Sequence, residues 1–414
     1  MQSVDVIVLG AGIVGSSTAL QLQRKGLDVA LVDRRQPGEE TSHGNAGIIE
    51  RNGFVPIGFP EDWRFLADIV LGRTPAVNYD LKTVLRILPW LRALRRESAR
   101  PALQRFAHAI DSFERHAVAE HQTLAALASC ERLYRKTGWL HLYRTEAAYR
   151  AGETERHFAR IFGAEYQELG PLEINELEPA LMADTCRGVF WPESQSVSSP
   201  GGVTKAFAKA VTDRGGHLYL GDARRLSRSR GGWALATDRG PVWGRAAVIC
   251  LGPWAPDLLK TLGLRFPMIV KRGYHLHYKP PANVSLTRPV VDLENGFVLT
   301  PMEKGIRLTT GIEFRDRDAP PSPVQVTRAL AKAREILPLG IPVESEPWMG
   351  ARPCLPDSLP VTGAAPGESG LWLNFGHGHV GFTLGPVTGR LVAEMITGQV
   401  PFVDPGPLSP NRFA

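Results

Sequence analysis

Apolar and polar positions along this chain follow two rhythms that change places several times. The opening "VDVIVLG" is a near-continuous β-branched apolar run, the pattern of a strand buried on both faces of a parallel sheet. "IVGSSTALQLQRKG" then carries helical spacing and stops at Gly26, and "LDVALVD" is a second strand ending at Asp33. These three pieces make one right-handed βαβ unit. From about Glu61 to Ala128 the spacing is helical. Leu81, Val84, Leu85 and Leu88 share one face until Pro89 interrupts, and Leu103, Phe106, Ile110 and Phe113 recur after Pro101 as a longer amphipathic helix.

Shorter strand-like pieces follow: "GWLHLY" (138–143), "HLYL" (217–220), "AAVICLG" (246–252) and "YHLHY" (274–278). "GFVLTPMEKGIRLTTG" (296–311) reads as a hairpin turning at Glu303–Gly305. A last helix is expected over Pro386 to Met395, and the Pro-rich tail past residue 400 reads as a loosely ordered end. Nucleotide-type pieces thus lie at both ends and near 200–252, with a helical block and a strand-rich block between them. The fold class is α/β with an α+β second domain. Residues 1–60, 192–268 and 345–414 form one discontinuous domain, and 61–191 with 269–344 form the other.

Composition narrows the partners. With 43% apolar and 22% charged residues over 414 positions, the chain can bury a large core. No apolar run reaches the ~18–20 residues that cross a bilayer. The N-terminal run lacks a basic leader and its glycines fall at motif spacing, so it reads as mature fold and the protein as cytoplasmic, at most peripheral on the inner face of the membrane. Four dispersed cysteines, with no CxxC and no metal-ligand spacing, point away from a metal or a disulfide framework. Of the net charge of +6, residues 81–105 hold seven basic side chains against Glu97 alone. They lack the interleaved aromatics of a nucleic-acid platform, which leaves a solvated helix face or a membrane-surface or partner-subunit contact.

The chemistry begins at Gly10-Ala-Gly12-Ile-Val-Gly15, between the first strand and its helix. Gly10 permits the tight turn, Gly12 lets the backbone approach a pyrophosphate, Gly15 allows close helix–strand packing, and the helix N-terminus faces the phosphates. Asp33 stands where an acid bonds a ribose hydroxyl. Either NAD or FAD satisfies these residues. "ETSHGNAGII" (40–49) bears on the choice, because a flavin ring far from the adenosine needs a loop of polar backbone groups along it. A Ser42–His43 hydrolytic pair is disfavoured, since adjacent residues in a loop rarely aim at each other and no G-x-S-x-G surrounds them.

Together with "ARPCLPDSLPVTG" (351–363) and "FGHGHVGFTLGPVTGRL" (375–391), these motifs give the whole chain a resemblance to the D-amino-acid oxidase superfamily. Within it the chain most resembles bacterial D-amino-acid dehydrogenases of the small-subunit type, beside glycine and sarcosine oxidases. The resemblance implies a Rossmann-like FAD-binding domain with a discontinuous substrate domain of mixed sheet plus helices. It implies that Ile13, Val14, Asp33 and Arg34 hold the ADP half with the glycine motif, and that Thr41, Ser42, Asn45, Ala46, Gly47 and Ile48 line the isoalloxazine. Arg225 would offer its backbone to the adenine and Gly252 would close on the cofactor. Gly378, His379, Val380, Gly381, Phe382 and Thr383 would run along the pyrimidine edge, with Thr383 as a cap for the helix at Pro386. Arg352 would pair with a substrate carboxylate, which a guanidinium fork grips bidentately. The other reading of Arg352 is an ion pair with Asp357. Tyr274 and His43 are candidates facing the substrate and the ring.

Some sarcosine oxidases attach FAD through a Cys, and counting back from Pro356–Asp357 that position is Gly350 here, so the FAD is expected to be noncovalent. The implied reaction is oxidation of a small amino acid, a D-amino acid or a proline- or hydroxyproline-type imino acid, by Cα hydride transfer to flavin N5. The electron acceptor would be a quinone, an electron-transfer protein or O2. The alternatives are a flavin-carrying subunit of a hetero-oligomeric amine dehydrogenase and a glycine- or sarcosine-type oxidase.

Overall fold

The computed structural model describes residues 2–60, 62–182 and 186–413. Glu61, where the helical block was expected to open, lies outside the described residues, as do 183–185 within the expected second domain. Strand β1 (Gln2–Leu9), helix α1 (Ile13–Arg24) and strand β2 (Val29–Asp33) form the βαβ unit read from the sequence. Around β1 an eight-stranded sheet assembles from distant segments. His217–Leu220 extends it beyond β2, and Gly240–Ile249 runs parallel to β1 on the other side. Leu371–Phe375 then joins Gly240–Ile249 in parallel.

The helix Gly381–Ile396 crosses α1 closely because glycines remove the side chains between them. A Cβ on Gly389 would stand 2.9 Å from the backbone nitrogen of Thr18. This helix begins five residues before the expected Pro386, so Pro386 lies inside it and Thr383 is not its cap. Proline has no N–H for the carbonyl one turn back, at Phe382. That carbonyl instead accepts from the His121 ring Nε2 at 2.7 Å, which comes from the long helix Arg100–Leu127. Burial pushes His121 down to about 4, so the ring is neutral, and its Nδ1 faces the Tyr134 hydroxyl at 3.0 Å.

The second sheet has eleven strands and carries the other core. Its centre is Ile269–Lys279, flanked by Gly305–Thr309 and by Trp348–Cys354. The last of these lies within 345–414, the stretch read from the sequence as part of the first domain, yet pairs in the second sheet. The hairpin of Phe297–Met302 with Gly305–Thr309 turns where the sequence predicts. The helical block is more broken than its periodicity implied. Trp63–Val70, Leu81–Arg86, Leu88–Glu97 and Arg100–Leu127 are separate helices, and Val77–Tyr79 is a strand on the edge of the second sheet. Pro89 starts a helix where the pattern suggested only an interruption. The tail is also docked: Leu408 is fully buried, and Arg412 bonds Asp357 and the Leu359 carbonyl, each at 2.7 Å.

His121→Leu fills the same space but leaves the Phe382 carbonyl without a donor. It should cost about 1–3 kcal/mol, read as a lower midpoint of thermal or urea unfolding. An unchanged midpoint would show that the helix tolerates Pro386 without the His121 ring.

Candidate active site

One continuous cavity of about 1220 Å³ runs between the two sheets. Its first end is built on β1–α1–β2. Gly10 adopts φ +104°, and a Cβ on Gly15 would meet the Gly10 carbonyl oxygen at 1.7 Å. Gly12 caps α1 with no side chain and the first turn holds no acid, so the positive helix terminus opens on the cavity. Asp33 accepts from the Ala11 amide at 2.7 Å, and burial raises its pKa. Gly252, with φ +51°, leaves open space where its Cβ would be. Arg34 lies over the Trp254 ring at 4.3 Å and lines the same end. The nearby wall is made by Gly221–Arg224. Arg225, expected there, is exposed, and its amide is already bonded to the Asp222 carbonyl.

The middle is the loop of the opening motif. Its side chains are spent on the scaffold: Ser42 Oγ accepts from the Ile13 amide at 2.9 Å, Thr41 donates to the Ala351 carbonyl at 2.8 Å, and Asn45 accepts from Gly47 at 2.7 Å. Buried Arg307 of the second sheet takes the carbonyls of His43 and Asn45 at 3.0 and 2.6 Å. Thr41, Ser42, Asn45, Ala46 and Ile48 line the cavity, whereas Gly47 packs under the Val197 carbonyl. His43 is turned away from the cavity. Its ring packs between His275 and Trp348, with centroids 6.0 and 5.7 Å away, and burial with nearby Arg307 lowers its pKa. Opposite, Gly378, His379, Gly381 and Phe382 line the cavity while Val380 and Thr383 face the protein. Thr383 Oγ1 stitches the two segments, accepting from the Glu50 amide and donating to the Ile48 carbonyl.

The far end lies on the second sheet. Arg352 rests against Gly273, where any Cβ would stand 2.5 Å from its guanidinium, and donates to the carbonyls of Gly311 and Thr310. Asp357, the other partner considered for it, is taken by Arg412, and among the described residues Arg352 pairs with no carboxylate. Tyr274, expected to face the substrate, shares the strand face of Arg272, opposite to Lys271 and Gly273, so its ring packs into the second core and its hydroxyl is consumed there. It donates to Glu313 and accepts from Arg272 and the Ser322 amide, at 2.6, 2.6 and 2.9 Å.

Three groups here carried no recognised motif. Lys271 sits beside Arg352 on the wall. Glu50 follows the flavin-type loop, and Glu155 is held by Asn52 at 2.9 Å and by His141 at 3.3 Å. Glu50's carboxyl has no hydrogen-bond partner among the described residues, and burial together with Glu155 raises it to about 7. The only local signal was a charge placed directly after two buried isoleucines. No cluster that could hold a metal occurs among the described residues, and no helix there is long and apolar enough to cross a membrane.

The pieces fit an FAD: a helix terminus with no acid in its first turn, an acid at the ribose position, open glycine surfaces and a long cavity continuing to a backbone-lined loop. The family model described as FAD dependent oxidoreductase (DAO) matches residues 5–395. A D-amino acid dehydrogenase of Paramagnetospirillum magneticum is 30% identical, with 99% of this chain and 98% of that protein aligned. A D-amino-acid oxidase of Bradyrhizobium diazoefficiens is 28% identical at the same coverage. Glycine oxidase from Geobacillus kaustophilus superposes with a TM-score of 0.75 at 23% identity, over 99% of this chain and 98% of that one.

Glu50 also sets a pH dependence. Its folded pKa of about 7 exceeds the ordinary 4.5, so the stability it contributes is complete below pH 4.5 and is lost as pH rises through about 7. Glu50→Gln should therefore flatten the fall in apo-protein stability between pH 5 and 8 by as much as about 3 kcal/mol. Parallel pH curves for both proteins would refute this placement of the charge.

Proposed function

This chain belongs to the DAO family of FAD-dependent oxidoreductases, and we propose that it oxidises the Cα–N bond of a small amino acid, a D-amino acid or a proline-type imino acid. The observation that carries the reading is Arg352: a guanidinium on the cavity wall, fixed by two carbonyls and a flat glycine, with no carboxylate partner among the described residues. It is complementary to an α-carboxylate, and holding that group fixes the direction of the Cα–H. FAD, when bound, supplies the acceptor for the hydride leaving Cα.

The remaining wall supports positioning more than acid–base work. Tyr274 turns its side chain into the core, with its hydroxyl committed to Glu313. Burial holds His377 and His379 at about 3, so both are neutral rings in physiological conditions. The imino acid produced would hydrolyse in water to a keto acid and ammonia, or stay cyclic where the substrate is proline-like.

The same reading gives the electron acceptor a side. An apolar branch of the cavity, walled by Phe65, Leu66, Ile69, Val84 and Leu91, emerges under the helices of residues 63–97. There Trp63, Val70, Leu71, Leu81 and Leu85 are all more than half exposed beside the arginines of 81–105. This supports approach of a membrane surface or an apolar acceptor such as a quinone over an unassisted encounter with O2. Sedimentation with anionic but not neutral vesicles, lost in a Trp63→Ser/Leu71→Ser double variant, is the expected result; equal recovery with both lipids would remove the membrane from the reading.

Anaerobic titration tests the function itself. D- and L-amino acids, proline, hydroxyprolines, glycine and sarcosine are added to the FAD-loaded protein while the flavin absorbance is followed. At least one should bleach it, and Arg352→Lys should keep the flavin while lowering kcat/KM by ~10²-fold or more. If none bleaches the flavin, the amino-acid reading fails. Denaturation should release the FAD free of protein.

A further inference from the structure

Beside Arg352 stands a second cation that the reaction above does not use. Ile269–Lys279 and Trp348–Cys354 pair antiparallel with Lys271 directly opposite Arg352, which puts both side chains on one face. Lys271 is only 6% exposed and lines the cavity. Among the described residues its ammonium forms no hydrogen bond or ion pair, and its neighbours are the rings of Trp90 at 5.0 Å and Phe314 at 6.0 Å.

Among the described residues no carboxylate forms an ion pair with either cation. Cys354 is a buried thiol whose pKa is raised, and His379 is a neutral ring. Like charges on directly opposite residues repel, and a buried ammonium without a partner carries a desolvation cost of several kcal/mol. Cation–π contact with Trp90 returns at most about 2 kcal/mol of it. The arrangement is complementary to two anionic groups, one at each cation. Opposed Cβ atoms lie about 5 Å apart, a separation that the two carboxylates of a short amino-dicarboxylate can span. On the wall of the same cavity, the carboxyl of Glu50, without a hydrogen-bond partner among the described residues, and that of Glu155 favour a cationic or hydrogen-donating amine.

We propose that Lys271 selects an amino acid bearing a second anionic group, with Arg352 taking the α-carboxylate and Lys271 the distal one. The inference rests on the amino-acid reading above and narrows its substrate class. A cation aimed only at the flavin would act differently, lowering turnover of every substrate alike and shifting the flavin's midpoint potential.

The test uses the FAD-loaded full chain and both enantiomers of aspartate and glutamate against asparagine and glutamine, which share shape but lack the second charge. For the enantiomer that reduces the flavin, the dicarboxylate should be preferred in kcat/KM by about tenfold or more, the worth of one charge-assisted hydrogen bond. Lys271→Met should abolish that preference and leave the amides within about threefold, and Lys271→Arg should restore it. Bound flavin per chain reports folding of each variant. Equal use of acids and amides by the unaltered protein overturns the proposal while the amino-acid reading stands. So does a Lys271→Met variant that loses all substrates in parallel with a shifted potential. If no amino acid reduces the flavin, both fall together.

Discussion

The site depends on one constraint: the loop between Glu40 and Ile49 must face the cavity with its backbone, so its side chains and carbonyls need partners elsewhere. They find them in both sheets. Ser42 holds the start of α1, Thr41 holds the carbonyl beside Arg352, and Arg307 gathers the carbonyls of residues 43 and 45. An unpaired buried carbonyl costs about 1–3 kcal/mol, so Arg307 shapes the cavity wall without touching a ligand. Burial brings even this guanidinium down to about 10, and it remains charged in physiological conditions. The loop is therefore the joint that sets the distance between the nucleotide half and the substrate half.

Around that joint the charges are sorted. Lys271 and Arg352, which have no carboxylate partners among the described residues, stand opposite each other on the paired strands Ile269–Lys279 and Trp348–Cys354. Acids gather near Trp139–Tyr143, where Glu155 is tied to His141 and Asn52. Where charges of opposite sign do meet in the core, as in Arg272 with Glu313 at 3.0 Å, they are fully buried and bonded to Tyr274 as well. The charges of that network are paired with each other and therefore mute toward ligands. The contrast between satisfied and unsatisfied charge separates scaffold from site here more sharply than residue type does.

Much of this was legible in the sequence, and the parts that were not share a cause. The βαβ unit, the glycine turn and the loop at 40–49 were readable because backbone requirements leave local marks: glycine spacing, an acid ending a strand, alternation. Arg352 was readable through the motif around it. His43 and Arg225 lie off the cavity although each stands next to residues that do face it, and which neighbour points inward is decided by packing against Trp348 or by a turn closing on Asp222. The start of the last helix was placed at Pro386 because proline ordinarily opens helices. A histidine 265 positions earlier in the chain satisfies the carbonyl that proline leaves free. No local pattern contains that partner.

Lys271 shows the same limit from the other side. In the strand it reads as one of two adjacent charges, Lys271 and Arg272, and alternation alone says only that they face opposite ways. The structure gives them opposite fates. Arg272 turns into the core and finds Glu313, Tyr274 and the carbonyls of Asp316, Ala319 and Pro320. Lys271 turns to the cavity and finds two aromatic rings and another cation. Only the partner strand, about eighty residues away, distinguishes the two: it sets Arg352 opposite Lys271 and Ala351 opposite Arg272. Long-range register therefore decides which of two neighbouring charges is structural and which is left for a ligand.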